Sequence, residues 1–135
     1  MNKIVLVTGG SRGIGAATVQ AFAQAGCRVI LNYNKSEAAA RAIADAWPGQ
    51  VFPVQADVSD PAQVEELFRQ AEALCGPVEV LVCNAGLAQQ KLFTDLTDAD
   101  WARMIGVHLS GAFYCCRRAL PGMIRRKWGR ILTVS

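Results

Sequence analysis

The chain has too little histidine, and too scattered a set of cysteines, to build a metal centre. His108 is its one histidine, and Cys27, Cys75, Cys83, Cys115 and Cys116 include no CxxC pair. Zinc-ligand spacing and a paired disulfide framework are both missing, so the cysteines read as small buried hydrophobes of a reducing compartment. A nucleic-acid footprint is missing too. The net charge of +3 clusters only at Arg117-Arg118 and Arg125-Arg126-Lys127. Without aromatic interleaving or a recognition motif, these read as helix ends favoured by the dipole. No repeat, linker or low-complexity stretch interrupts the chain. Met1-Asn2-Lys3 leads straight into a short apolar run, too brief for a signal or membrane segment. The expectation is a cytoplasmic protein with no metal, no nucleic-acid partner and no membrane partner.

What is present suits a single domain spanning 1–135, with 52% hydrophobic residues for a sheet covered on both faces. Strand and helix signals alternate throughout, the pattern of an α/β fold with a parallel sheet and crossover helices. Strands are predicted near Lys3–Thr8, Arg28–Tyr33, Val51–Gln55, Val80–Cys83 and Gly129–Val134. A first helix should run from Gly13 to about Ala25, burying Ala17, Ala21 and Phe22, with Gly26 just past its end. A second, capped by Ser36, reaches Trp47 with Ala39, Ile43 and Trp47 on one face before Pro48-Gly49 stops it. Asp60-Pro61 starts a third by capping and proline at the first helical position, with Val64, Leu67, Phe68, Ala71 and Leu74 buried. One long helix is predicted after Thr97, with Trp101, Met104, Ile105, His108, Ala112, Phe113 and Cys116 on one side and Pro121 as a kink. The loop from Ala85 to Thr97 is long for such a fold, which points to function.

The organising stretch is Val7-Thr8-Gly9-Gly10-Ser11-Arg12-Gly13-Ile14-Gly15, between the first strand and the first helix. Gly9, Gly13 and Gly15 lack Cβ atoms where the backbone must turn with positive φ and approach a ligand. Amides from Ser11 to Ile14, together with the helix dipole, would then hold a diphosphate. This predicts a dinucleotide site; the same glycines would otherwise serve a tight turn. Coenzyme choice should lie at the end of the second strand, where an acid for the ribose 2′-hydroxyl marks NAD. The residues there are Asn32-Tyr33-Asn34-Lys35-Ser36, with no acid. Asn34 and Lys35 at the tip, with Arg12 from the loop, favour the 2′-phosphate of NADP, unless both cations are simply solvated. Asp57-Val58 follows the third strand at the carboxyl edge of the sheet, where ligands bind in open α/β folds; a turn aspartate bonding its own backbone is the plainer alternative.

With Thr8 in front, the Gly-x-x-x-Gly-x-Gly spacing resembles the short-chain dehydrogenase/reductase family, a one-domain variant of the Rossmann fold. Asn84-Ala85-Gly86 matches that family's Asn-Ala-Gly motif, and the likeness runs on through Trp101, Gly111 and Phe113 to Gly129-Arg130-Ile131. Its nearest flavour is the 3-oxoacyl-carrier-protein reductase branch. Gln89 to Asp95 also looks like bacterial reductases acting on the 5-aminopentanone group of modified elongation factor P. The resemblance implies an adenine contact at Asp57-Val58 and a nicotinamide ribose approaching Ala85-Gly86, with Asn84 tying neighbouring strands together. It also implies a small-molecule or carrier-bound carbonyl substrate and a homo-oligomer formed through the long helix starting near Asp98. His108 stands where the family has a proton-relaying Asn. A neutral imidazole donates and accepts at once, which suits a relay, whereas a lone histidine on an apolar helix face otherwise belongs to the core.

By family spacing the catalytic Ser would follow Ser135, and the Tyr-x-x-x-Lys pair and the last strands and helices would lie further on. Neither Tyr33 nor Tyr114 heads such a motif. The expectation is an NADP-binding front portion of a ketone or 3-oxoacyl reductase, inactive as 1–135. The alternative is a non-catalytic module that senses or sequesters NADP, or one that pairs with a partner.

Overall fold

A computed structural model describes residues 1–135. Five strands, β1 (Ile4–Val7), β2 (Arg28–Tyr33), β3 (Val51–Gln55), β4 (Val80–Cys83) and β5 (Arg130–Thr133), form one sheet in the order β3-β2-β1-β4-β5. All four pairings are parallel. Parallel neighbours need crossover connections, and the helices α1 (Gly13–Gln24), α2 (Glu37–Ala46) and α3 (Pro61–Leu74) supply them. Two further helices, α4 (Asp98–Ile105) and α5 (Gly111–Arg126), lie between β4 and β5. No helix is long and apolar enough to cross a membrane.

Side-chain alternation along each strand divides the core in two. Leu6, Ile30 and Leu81 pack with Val64, Leu67 and Phe68 of α3 and with Cys115, Ala119 and Met123 of α5. Val5, Val7, Val29, Leu31, Val80 and Val82 face the other way, against Val19 and Ala23 of α1 and Ala40 of α2. Phe68, Leu67, Leu6 and Ile30 are fully buried, each contributing about 1.5–3 kcal/mol of transfer free energy. An exposed pair such as Arg41–Glu37 is screened by solvent and contributes little beside them. The covered sheet therefore determines stability.

The strands fall within about a residue of their expected limits, but the helices correct four expectations. In α1 the buried stripe is Gly15, Val19 and Ala23, while Ala17 and Ala21 are exposed and Phe22 is half-buried. The stripe follows four-residue steps from the glycine that must touch the sheet, which alanine content does not reveal. In α2, Ala40 is the buried residue, with Ile43 and Trp47 leaning on the core from its rim, and Ser36 makes no side-chain cap. Leu74, at the last turn of α3, is exposed. Asp60 does cap α3, accepting from the Ala62 amide at 3.0 Å, with Pro61 at the first position.

The largest correction concerns the helix after Thr97. Thr97 and Asp100 form a reciprocal capping box at its start, but α4 gives way at Gly106–Ser110 to a wide turn of the π type before α5 begins. The buried stripe is Val107, Gly111, Cys115, Ala119 and Met123; Trp101, His108 and Phe113 are exposed. Gly111 is where α5 meets the loop after β3, since a Cβ there would lie 2.8 Å from Val58 Cγ2. Pro121 does not end the helix, which continues to Arg126. All five cysteines are free thiols; burial pushes Cys115 up to about 12 and Cys83 upward as well, so both stay protonated and pack as apolar groups.

Candidate functional site

The carboxyl ends of β1 to β4 open onto a cleft of about 550 Å³. Residues lining it include Gly9, Ser11 and Arg12 from the loop after β1, Asn34 and Lys35 after β2, Asp57 and Val58 after β3, Asn84 to Gly86 after β4, and Arg103 and His108. Of the residues singled out from sequence, Gly13, Ile14 and Gly15 are not on that lining and instead form the first turn of α1 just behind it.

Backbone conformation shapes the first wall. Gly9 has φ +63° and Gly13 +57°, the left-handed region that favours glycine. A Cβ on Gly15 would sit 2.1 Å from the Gly9 carbonyl oxygen and 2.5 Å from Asn84 Nδ2. The helix therefore starts in contact with the loop, and only glycine permits it. Arg12 is the N-cap of α1 and offers no side-chain acceptor, so the amides of the first turn are left for a ligand.

Two buried side chains, Asn32 and Thr8, and the half-buried Asn84 fix that loop in place. Asn32, 2% exposed at the end of β2, accepts from the Gly9 amide at 3.3 Å, and its Nδ2 donates to the carbonyls of Val54 (3.3 Å) and Ala56 (3.1 Å). Thr8 Oγ1 accepts from the Asn84 and Ala85 amides, both at 3.0 Å. Asn84 Nδ2 in turn donates to the carbonyls of Thr8 (3.3 Å) and Gly9 (3.0 Å). The tie between neighbouring strands expected of Asn84 is present. Asn32 was missed as a structural element because an asparagine inside an apolar strand carries no local signal; its burial between two loops becomes visible only in three dimensions.

The opposite wall depends on side chains. Asp57 Oδ1 accepts from the Ser59 amide (3.0 Å) and hydroxyl (2.7 Å), and Oδ2 accepts from Arg103 Nη1 (2.9 Å). Burial alone would raise this carboxyl, but the Ser59 hydrogen bonds and the Arg103 guanidinium outweigh it and hold Asp57 below the usual carboxylate range. The turn-aspartate alternative thus accounts for one of its three hydrogen bonds, from the Ser59 amide, while the Ser59 hydroxyl and the arginine from α4 supply the other two. His108 is exposed at the cleft, outside the core, with Nε2 2.9 Å from the Leu87 carbonyl oxygen and 3.1 Å from the Leu87 amide. Lys35 is exposed at the tip of β2, and Asn34 Oδ1 accepts from Gln55 Nε2 at 3.2 Å.

Beside this cleft, whole-chain comparison gives a direct answer: the sequence pattern described as short chain dehydrogenase matches residues 3–135. The chain belongs to the short-chain dehydrogenase family. A 3-oxoacyl-(acyl-carrier-protein) reductase of Synechocystis is 35% identical to it, over 98% of this chain and 55% of the relative. A D-beta-hydroxybutyrate dehydrogenase of Cupriavidus necator is 37% identical over 98% of this chain and 52% of its own length. Among solved structures, a short-chain dehydrogenase from Streptomyces avermitilis superposes with a TM-score of 0.91 at 31% identity, covering 99% of this chain and 49% of that one. The parallel sheet with helices on both faces is therefore the Rossmann-type architecture of the family. The chain spans about half the length of these relatives.

Proposed function

We propose that residues 1–135 are the coenzyme-binding portion of an NADP-dependent short-chain reductase acting on a ketone or 3-oxoacyl thioester. The observation that carries this reading is the first turn of α1. Its amides have no cap, they lie behind a loop with left-handed glycines, and that loop is held by Asn32, Thr8 and Asn84. A Cβ on Gly15 would collide with the backbone of Gly9, so the helix start is pressed directly onto the loop, and its uncapped amides with the helix dipole favour an anion there.

Arg12 and Lys35 flank the mouth of the cleft and would neutralise a 2′-phosphate. Asp57 and Val58 would border the adenine, and Ala85 and Gly86 the nicotinamide ribose. His108 would hold the loop after β4 and take the place where the family resemblance puts a proton-relaying asparagine. When bound, the coenzyme supplies the two-electron reduction of a carbonyl. Residues 1–135 contain no Tyr-x-x-x-Lys pair to donate the accompanying proton, so this portion binds coenzyme without turning substrate over. The names of the Synechocystis and Cupriavidus relatives support an oxoacyl or 3-hydroxy acid substrate class.

Calorimetric titration with NADPH and NADH tests the reading. NADPH should bind more tightly, and Lys35→Asp should reverse or erase the preference by about tenfold, one charge-assisted contact. Equal affinities in the wild type would remove NADP from the proposal. Binding of neither dinucleotide at millimolar concentration would remove the whole reading.

A further inference from the structure

The helical wall of the cleft is fastened at two points that coenzyme binding by the glycine loop does not require. Arg103 Nη1 donates to both Asp57 Oδ2 and Ser59 Oγ at 2.9 Å, joining α4 to the loop after β3. Five positions later, His108 Nε2 meets the Leu87 backbone, joining the same helical stretch to the loop after β4. Gly86 lies against that ring so closely that a Cβ there would come within 2.6 Å of His108 Cε1. Residues five apart on a regular α-helix, at about 100° per residue, are turned well away from one another. The wide turn at Gly106–Ser110 reduces that angle, and such turns recur at functional sites. Both side chains thereby line one cleft.

The bonding of Asp57 also leaves room for a ligand. A carboxylate offers about four acceptor positions. Ser59 and Arg103 fill three of them, leaving one on Oδ2.

We propose that Arg103 and His108 form a two-point clasp that sets the spacing between the loops after β3 and β4 and so positions both ends of the dinucleotide. Arg103 acts through the Asp57 carboxylate and His108 through the Gly86-Leu87 backbone. They are positioning residues. The clasp rests on the dinucleotide reading above and adds to it a cost for loosening either end. Because both residues sit on one stretch of helix, releasing one partly releases the other.

The test titrates two probes, NADPH and adenosine 2′,5′-bisphosphate, into the complete gene product and its Arg103→Met, His108→Leu and doubly substituted forms. The second probe carries only the adenine end. Arg103→Met should weaken both probes by about fivefold, the scale of one part-exposed charge-assisted hydrogen bond. His108→Leu should weaken NADPH to a similar extent and leave the bisphosphate within about twofold, as expected for a group that acts at the other end. The double substitution should weaken NADPH by less than the product of the single effects. Arg103→Lys keeps the stem and charge but not the donor fork, and should also weaken the bisphosphate; it serves if the methionine form does not fold. Unchanged bisphosphate affinity in the Arg103 variants, equal loss of both probes in His108→Leu, or fully multiplicative effects would overturn the clasp. Wild-type protein that binds neither probe removes the dinucleotide reading and the clasp together, whereas normal wild-type binding with unaffected variants removes the clasp alone.

Discussion

The two walls of the cleft are built by different means. The glycine-loop wall is a matter of backbone: left-handed glycines, a helix start pressed on a carbonyl, and the buried Asn32 and Thr8 with the half-buried Asn84 hydrogen-bonded to loop and strand backbone. The helical wall is a matter of side chains. One partly exposed arginine and one exposed histidine hold it, and α4 buries none of its residues. Buried bonds are expensive to break because water cannot replace them, while part-exposed ones exchange with water at little net cost. One wall is therefore preformed, and the other can move.

The largest effect expected to sharpen this contrast is Gly15→Ala. The added methyl meets the Gly9 carbonyl oxygen and Asn84 Nδ2, and relieving that overlap should cost about 3 kcal/mol, or roughly a hundredfold in NADPH affinity by titration. Near wild-type affinity would mean that the loop yields, and the contrast would fail. Next comes Asn32→Ala, which leaves the Gly9 amide and the carbonyls of Val54 and Ala56 without their partner. A loss of about 2 kcal/mol in urea unfolding is expected, with the midpoint lowered and the slope unchanged. A loss under about 0.5 kcal/mol would place Asn32 among ordinary surface residues.

The smallest effect is acid loosening of the helical wall. Hydrogen bonding to Lys91, with the Thr97 backbone, holds Asp100 down at about 2, and Asp57 is also lowered. A lowered folded value means that the stabilisation is complete above the unfolded carboxylate value, near pH 4, and is lost as the pH falls through the folded values. Amides of α4 should therefore exchange with solvent faster between about pH 4 and 2, after correction for intrinsic rates, while those of β1 stay protected. Parallel loosening of both regions would contradict the division.

The same division explains what could be read from the sequence. Strand positions were legible because Ile4–Val7, Arg28–Tyr33 and Val80–Cys83 are short apolar runs bounded by glycine, proline or polar residues. The glycine loop stood out by its spacing, Asn84 by its match to a family motif and Asp57 by its place just after a strand, and all three lie at the cleft or its rim. The face of α1 was misread because alanine is tolerated on both sides of a helix, whereas the contact is set by Gly15. Arg103 was not legible at all: its partners are 46 and 44 residues away, and nothing local distinguishes it from a solvated cation. The break between α4 and α5 had one signal, the glycines at 106 and 111 that bracket it. An unbroken apolar periodicity across them outweighed it.

Gly106–Ser110 holds more chain than a regular winding needs. Excising a single residue from it would let the stretch rewind as an ordinary α-helix, and because the wide turn has already absorbed the rotation of that extra residue, the helix faces on either side would keep nearly the same directions. The stripe from Gly111 to Met123 would stay seated on β4, and Arg103 would still face Asp57. A one-codon deletion at this spot is therefore the mildest place to shorten the chain, since it removes a bulge and leaves the sheet, its core and the directions of both helices as they are.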